Sequence, residues 1–321
     1  MKTVIADNSL CTNVIPESAS GEDIFSYIEM LAASGVKLVE LDFRAAMKLK
    51  KLPEGIKYVF RLVDPMFMRL TEVFDFDYVL LTFPDLKKNI STKIPLVLEL
   101  PVIESLPGRA LRFAQNLAGG EISLLRLCGN LDFKSPAEAS EYVRRLKNDV
   151  AVPVDFCPLN ERRNAVDSAI KLSLANADGV TLSMCSGGRF AAFEDFVFTL
   201  ISVYDSLPSE INAGAMCRAS VFGNYIFGNK RGDRIMQLME ILDSDIRMLK
   251  NADTGGDVKT RIRLKDTQFM RRAYVSAVEK MLKNEDLAED ISEELVKAVE
   301  KSEANVFSDD IMNEKRRGLL N

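Results

Sequence analysis

Eight short runs rich in β-branched and aromatic residues recur along the chain: TVIA (3–6), VKLVELDF (36–43), IKYVFRLV (56–63), DYVLLTF (77–83), IPLVLEL (94–100), ISLLRL (122–127), VPVDF (152–156) and GVTLSM (179–184). The intervals between them are too long for tight hairpin turns, and several hold amphipathic helical stretches. Strands that alternate with helices build a parallel sheet, because a parallel partner is reached only through a long crossover. Eight such units within residues 1–200 predict an α/β fold, a closed (β/α)8 TIM barrel. An open doubly wound sheet is the alternative, and no G-x-G-x-x-G turn follows any of the runs to support it.

The helical stretches carry their own signals. In GEDIFSYIEMLAASG, Ile24, Ile28 and Leu31 share one face and Gly35 supplies the stop. In SPAEASEYVRRLKND, Ser135 and Glu138 form a capping-box pattern with Pro136 at the first helical position. The links after the third and fourth strands are short for full helices, so the barrel is expected to be irregular there. From residue 213 the pattern turns helical, in RIMQLMEILDSDIRMLK (234–250), DTQFMRRAYVSAVEKMLK (266–283) and SEELVKAVEKSE (292–303). The expected organisation is therefore a barrel domain over 1–212 and a C-terminal helical extension over 213–321, whose apolar positions pack on the barrel or on a second subunit.

A net charge of −5 with both signs interspersed gives no footprint for nucleic acid, and Lys315-Arg316-Arg317 is a short solvated cluster. No secretory signal pattern opens the chain, and no apolar run reaches the roughly 20 residues that span a bilayer. The five cysteines are odd in number and widely spaced, which argues against a disulfide framework and for a reducing, cytoplasmic setting. The chain has no histidine. The commonest general base and metal ligand is thus missing, and any catalysis must use other groups.

Charged residues stand within the strand runs: Asp7, Glu40, Arg61, Glu99, Arg126 and Asp155. A charge on a strand is costly unless it is paired or faces the solvated C-terminal end of the barrel. Two readings stay open here. Either these groups form a satisfied ion network that fills the barrel, or Arg61 and Arg126 bind a carboxylate or phosphate bidentately. Gly187, Gly188 and Arg189 in SGGRF supply a further candidate anion contact through backbone N–H groups.

The segment VPVDFCPLNERRNAVDSA (152–169) carries a resemblance. Phe156-Cys157-Pro158-Leu159-Asn160 is similar to the F-H-x-H-N of the HMG-CoA-lyase-like, or pyruvate carboxyltransferase, barrels, also called DRE-TIM metallolyases. These include 2-isopropylmalate synthase, homocitrate synthase, HMG-CoA lyase and 4-hydroxy-2-oxovalerate aldolase. Asp7-Asn8-Ser9-Leu10-Cys11-Thr12-Asn13 resembles that family's D-x-x-L-R-D-G, Val39-Glu40-Leu41 its second-strand glutamate motif, and SGGRFAAFEDFVF (186–198) a shortened G-x-G-E-R-A-G-N-A motif. The resemblance covers residues 1 to about 200, with no motif intact.

By that resemblance the chain would carry a divalent cation acting as Lewis acid in carbon–carbon lyase (aldolase) or acyltransferase chemistry. Carried over position by position, the enolate-stabilising arginine becomes Cys11, the metal-binding aspartate Thr12, and the two histidines Cys157 and Leu159, while the metal-binding asparagine falls in a deletion. Glu40 and Asn160 alone keep the family type. Thr12, Cys157 and Leu159 make a poor set for Mg, Mn or Zn, so no metal or other cofactor of the family type is expected. Cys11, Cys128, Cys157 and Cys185, expected at the ends of strands one, six, seven and eight, leave a soft-metal thiolate site as an alternative. The candidate catalytic groups are Glu40, Arg61, Arg126, Asp155, Cys157 and Asn160; the candidate ligand contacts are Asp7, Cys11, Glu99, Gly187, Gly188 and Arg189. The expected function is an aldolase- or acyltransferase-like barrel that has lost the metal chemistry and binds a small anionic metabolite of the 2-oxo acid or acyl-CoA class. An active lyase or synthase with a rebuilt site and a non-catalytic subunit or interaction protein remain alternatives. The resemblance also implies a homodimer.

Overall fold

The computed structural model describes residues 3–82, 92–102, 121–186, 188–204 and 208–228. Eight parallel strands, each paired with its sequence neighbours, close into a barrel with β8 beside β1. The strands are β1 Val4–Asp7, β2 Leu38–Leu41, β3 Lys57–Arg61, β4 Tyr78–Thr82, β5 Leu96–Pro101, β6 Ile122–Gly129, β7 Val154–Pro158 and β8 Gly179–Leu182. Each falls on one of the eight runs read from the sequence. Closure removes every sheet edge, and strands buried on both faces explain why the runs are nearly continuous in apolar residues rather than alternating.

The helices are α1 Ser9–Thr12, α2 Gly21–Ala33, α3 Phe43–Ala46, α4 Leu70–Val73, α5 Pro136–Asp149, α6 Ala165–Leu174, α7 Phe193–Tyr204 and α8 Ala213–Phe227. α2 starts from a full capping box, in which Ser20 accepts from Asp23 N–H and Asp23 accepts from Ser20 N–H. Ile24, Tyr27, Ile28 and Leu31 are its buried face. At α5 the expected box is only half formed: Ser135 accepts from Glu138 N–H, but the Glu138 carboxylate accepts from Lys134 N–H instead of from Ser135.

The irregular side begins one unit earlier than expected. β2 is followed by the single turn α3, and β3 by a 3-10 turn over Pro65–Arg69 that runs into α4. Phe43 and Phe67 stack at 4.1 Å over these short links, and Phe60 and Phe76 at 4.9 Å. Flat rings thus cover sheet that a longer helix would cover elsewhere.

α8 packs on α2 and α7, between the last barrel helix and the first long one. It is the described part of the C-terminal extension; the helices expected over 234–250, 266–283 and 292–303 lie outside the described residues. No helix among the described residues is long and apolar enough to cross a membrane.

Alternation along the strands sorts the barrel interior into two levels. Toward the strand N-termini, Ala6, Leu38, Val59, Leu80 and Val97 form a small apolar core of their own, separate from the main core between sheet and helices. One step further along β2, β3 and β5 the inward positions are Glu40, Arg61 and Glu99. The same chemistry that built the strands therefore delivers charges to one end of the barrel.

Candidate functional site

The inward charges meet across the barrel. Glu40 is gripped by two guanidinium groups, with Arg61 Nε on one carboxylate oxygen and Arg126 Nη1 on the other. Arg61 also forks onto Glu99, Nη1 to Oε1 at 3.1 Å and Nη2 to Oε2 at 2.6 Å. Arg126 reaches on to Asp155, Nε to Oδ2 at 2.6 Å, and Thr181 on β8 donates to the same oxygen at 2.6 Å. One network thus ties β2, β3, β5, β6, β7 and β8. The Arg126 side chain is fully buried, whereas that of Arg61 is 22% exposed and faces the mouth.

Electrostatics follow from this geometry. Burial pushes the Glu40 carboxyl upward, but the two arginine charges outweigh it and hold the group down to about 2. Burial raises Asp155, and the single guanidinium it shares with Glu40 does not fully compensate. Both arginines stay protonated because the charge of Glu40 overcomes their desolvation. Burial and the neighbouring Glu40 and Asp42 carboxylates push the Cys11 thiol well up, which disfavours a reactive thiolate there.

Around this network stand the positions singled out by sequence. Cys11 lies in α1, not at the end of β1, and its thiol neighbours the Glu40 carboxylate. Cys128 and Cys157 are register partners on β6 and β7, and their contact, with burial, raises the Cys157 thiol well above its ordinary range. Asn8 donates to Cys157 Sγ at 3.7 Å. Thr12 Oγ1 bonds to the Asn8 carbonyl at 3.1 Å and to Ser183 Oγ at 3.0 Å. Leu159 pairs with Phe190 through an isolated bridge.

Other candidates stand apart. Asp7 is on β1 but turns to the outside of the sheet, where it accepts from Ser9 N–H and Oγ and from Met184 N–H. Its carboxyl is raised to about 6 by burial, which the hydrogen bonds only partly offset. Cys185 also turns outward: it adopts φ +53° in the turn after β8, and its thiol meets the Ser220 carbonyl of α8 at 3.2 Å. The four cysteines left open as an alternative thiolate site are therefore not brought together around the mouth. Among the described residues no group of three or more Cys, Asp or Glu side chains is arranged to hold a metal ion.

Asn160 is a loop latch, donating to the Gly188 carbonyl at 3.1 Å and accepting from Ala165 N–H at 3.3 Å. Gly188 N–H points to Ser186 Oγ at 3.3 Å, and Arg189 is exposed with its guanidinium 5.5 Å from the Phe190 ring. Gly187 lies outside the described residues. The sequence reading missed Asn8, Thr181 and Ser183 as neighbours of the network. Period-two counting from Asp155 and Gly179 identifies Cys157, Thr181 and Ser183 as inward positions, so part of that signal was present.

The fold and this arrangement bear on comparison with known proteins. No protein-family profile matches the chain. The homocitrate synthase omega subunit of Clostridium pasteurianum is 24% identical over 198 residues, which cover 58% of this chain and 55% of that protein. The matched region thus spans about half the length of that relative. Among solved structures, the HMG-CoA lyase of Bacillus subtilis is similar at a TM-score of 0.55, with 14% identity over 74% of this chain and 98% of that one. The hydroxymethylglutaryl-CoA lyase of Pseudomonas aeruginosa is similar at 0.54, with 12% identity, 74% of this chain and 97% of that one. The barrel has the fold of the HMG-CoA-lyase-like, DRE-TIM group that the motifs at residues 1–200 resemble.

Proposed function

We propose that this chain is an aldolase-like barrel in which an internal ion network stands in place of metal-dependent carbon–carbon chemistry, and that it acts as a non-catalytic subunit. The observation that carries this reading is the double grip of Arg61 and Arg126 on Glu40, the glutamate of the second-strand motif. A hard cation needs several free oxygen or imidazole donors. Here Glu40 faces two guanidinium groups, the Thr12 hydroxyl is engaged by Asn8 and Ser183, and the two histidine positions hold a protonated thiol and an alkyl group. The donor set does not fit Mg²⁺ or Mn²⁺. The similar protein of Clostridium pasteurianum is by its name the omega subunit of homocitrate synthase, which supports the subunit part of this reading.

A second reading rests on the exposed edge of Arg61. A small carboxylate, of the 2-oxo acid or acyl-CoA class, would displace the 13%-exposed Glu99 from the Arg61 fork and bind at the mouth without turnover. The test is one set of measurements on the purified full chain. Turnover is assayed with 2-oxo acids and acyl-CoAs in the presence of Mg²⁺ or Mn²⁺, and melting is followed with each compound. No turnover and no metal-dependent stabilisation is the expected result, and a 2-oxo acid that raises the melting temperature supports the second reading. Metal-dependent turnover by the chain alone overturns the proposal.

A further inference from the structure

At the opposite end of the barrel from the ion network, a cavity of about 720 Å³ opens among the first residues of the strands. That volume lies within the roughly 300–1,000 Å³ of ordinary small-molecule sites. In a TIM barrel this N-terminal face normally contributes to stability and the chemistry sits on the other face. Here its wall is mostly apolar, from Val4, Ala6, Leu38, Tyr78 and Leu124. Gly179 keeps space beside Asp155, since a Cβ there would lie 2.9 Å from Asp155 Oδ1.

Polar groups break the apolar wall at two depths. Asp155 lines the cavity from inside; it is 2% exposed, and while its Oδ2 is held by Arg126 and Thr181, its Oδ1 has no partner among the described residues. A buried acceptor without a donor costs roughly 1–3 kcal/mol, so the cavity favours an occupant that supplies an N–H or O–H at this point. At the rim stand Lys37 and Lys57, both exposed and neither with an ion-pair partner among the described residues. Asp178 also lines the cavity, but its carboxylate is taken by Lys147 at 2.7 Å and by Val154 N–H at 3.0 Å. The rim therefore presents positive charge.

We propose that the N-terminal mouth of the barrel binds a small amphipathic anion, with an apolar body among Ala6, Leu38 and Leu124, a hydrogen-bond donor on Asp155 Oδ1 and an acidic group at Lys37 and Lys57. This site is independent of the proposed loss of metal chemistry, because it uses the other end of the barrel. The two share only Asp155, one oxygen of which faces each.

The test uses 8-anilino-1-naphthalenesulfonate, which has an apolar aromatic body, one N–H donor and one sulfonate, titrated into the folded full chain by fluorescence. One saturable site per chain is expected. Lys37→Glu combined with Lys57→Glu, both surface positions that leave the core intact, is expected to weaken it at least tenfold. Leu124→Trp, which fills the cavity, is expected to abolish it. 1-Naphthalenesulfonate, which lacks the N–H, is expected to bind at least fivefold more weakly than the anilino probe. Should Leu124→Trp fail to fold, the charge reversal and the probe comparison carry the test. Absence of saturable binding, or binding indifferent to the lysine reversal, overturns the proposal.

Discussion

At the scale of single residues, the molecule turns on Arg126, a fully buried guanidinium between Glu40 and Asp155. Removing one partner from a buried ion pair leaves the others desolvated and uncompensated, which costs about 3–5 kcal/mol. Arg126→Met is therefore expected to lower stability by about that amount, read as a shift in the urea midpoint with an unchanged slope. The acids also set a pH profile, and they pull in opposite directions. Glu40, held down to about 2, contributes stability above its ordinary value that is lost as the pH falls from about 4.5 toward 2. Asp7, raised to about 6, takes up its proton earlier in the folded than in the unfolded chain, so stability grows as the pH falls from about 6 toward 4. Asp155 and Asp195, both raised by burial, act in the same direction as Asp7. Urea midpoints measured at pH 7.5, 5 and 3 should thus be highest at pH 5; a midpoint at pH 7.5 above that at pH 5 would contradict the burial of these acids. Sequence showed that six charges lie on strands, but whether an arginine meets a carboxylate or a ligand depends on strands up to 86 positions apart, as Glu40 and Arg126 are.

At the scale of elements, local chemistry was legible wherever it acts over a few residues. The two long helices read from caps and periodicity formed over the residues read, though the box at α5 closed only halfway, and all eight strands fell on their runs. α8 begins where the helical extension was expected, but its stretch was not one of the three segments picked out, because AGAMCRASVFGNYIF is rich in small residues and contains Gly214 and Gly223, which weaken helix propensity. Tertiary contact explains one of them: a Cβ on Gly223 would lie 2.8 Å from both Cys185 Sγ and the Tyr27 ring, where α8 meets α2. Gly223→Ala is expected to cost about 1–3 kcal/mol through overpacking and to speed hydrogen exchange in α8 more than in α5. The two N-caps also differ. Ser20 both accepts from Asp23 N–H and donates to the Asp23 carboxylate, whereas Ser135 makes one bond at 3.2 Å. Ser20→Ala should cost about 1 kcal/mol and Ser135→Ala about half that, within the range for cap removal. Equal losses from thermal melts of the two variants would mean that the reciprocal bond adds nothing.

At the scale of the whole molecule, strand count and crossover length were enough to reach a closed barrel, because eight parallel strands with covered faces have few other ways to bury their edges. The apolar cavity at the other end was not legible, since it depends on which inward side chains are too small to meet. Charge balance across the mouth was partly legible, and it yields a prediction about metal that uses the whole network. Two guanidinium charges face the three carboxylates of Glu40, Glu99 and Asp155, and they bring the same quantity of positive charge as a divalent cation would. For a cation that binds the folded state, 100 times its dissociation constant adds about 2.7 kcal/mol, a shift of several degrees in melting temperature. The native chain should show no such shift in 10 mM Mg²⁺ or Mn²⁺, because its carboxylates already face arginines. Arg61→Ala removes the partly exposed guanidinium and leaves Glu40 and Glu99 open toward the mouth. That variant should melt lower than the native chain and regain part of the loss on adding Mg²⁺, with K⁺ at equal ionic strength giving less. A native chain stabilised by Mg²⁺ as strongly as the variant would show that the arginines do not occupy the place of the cation.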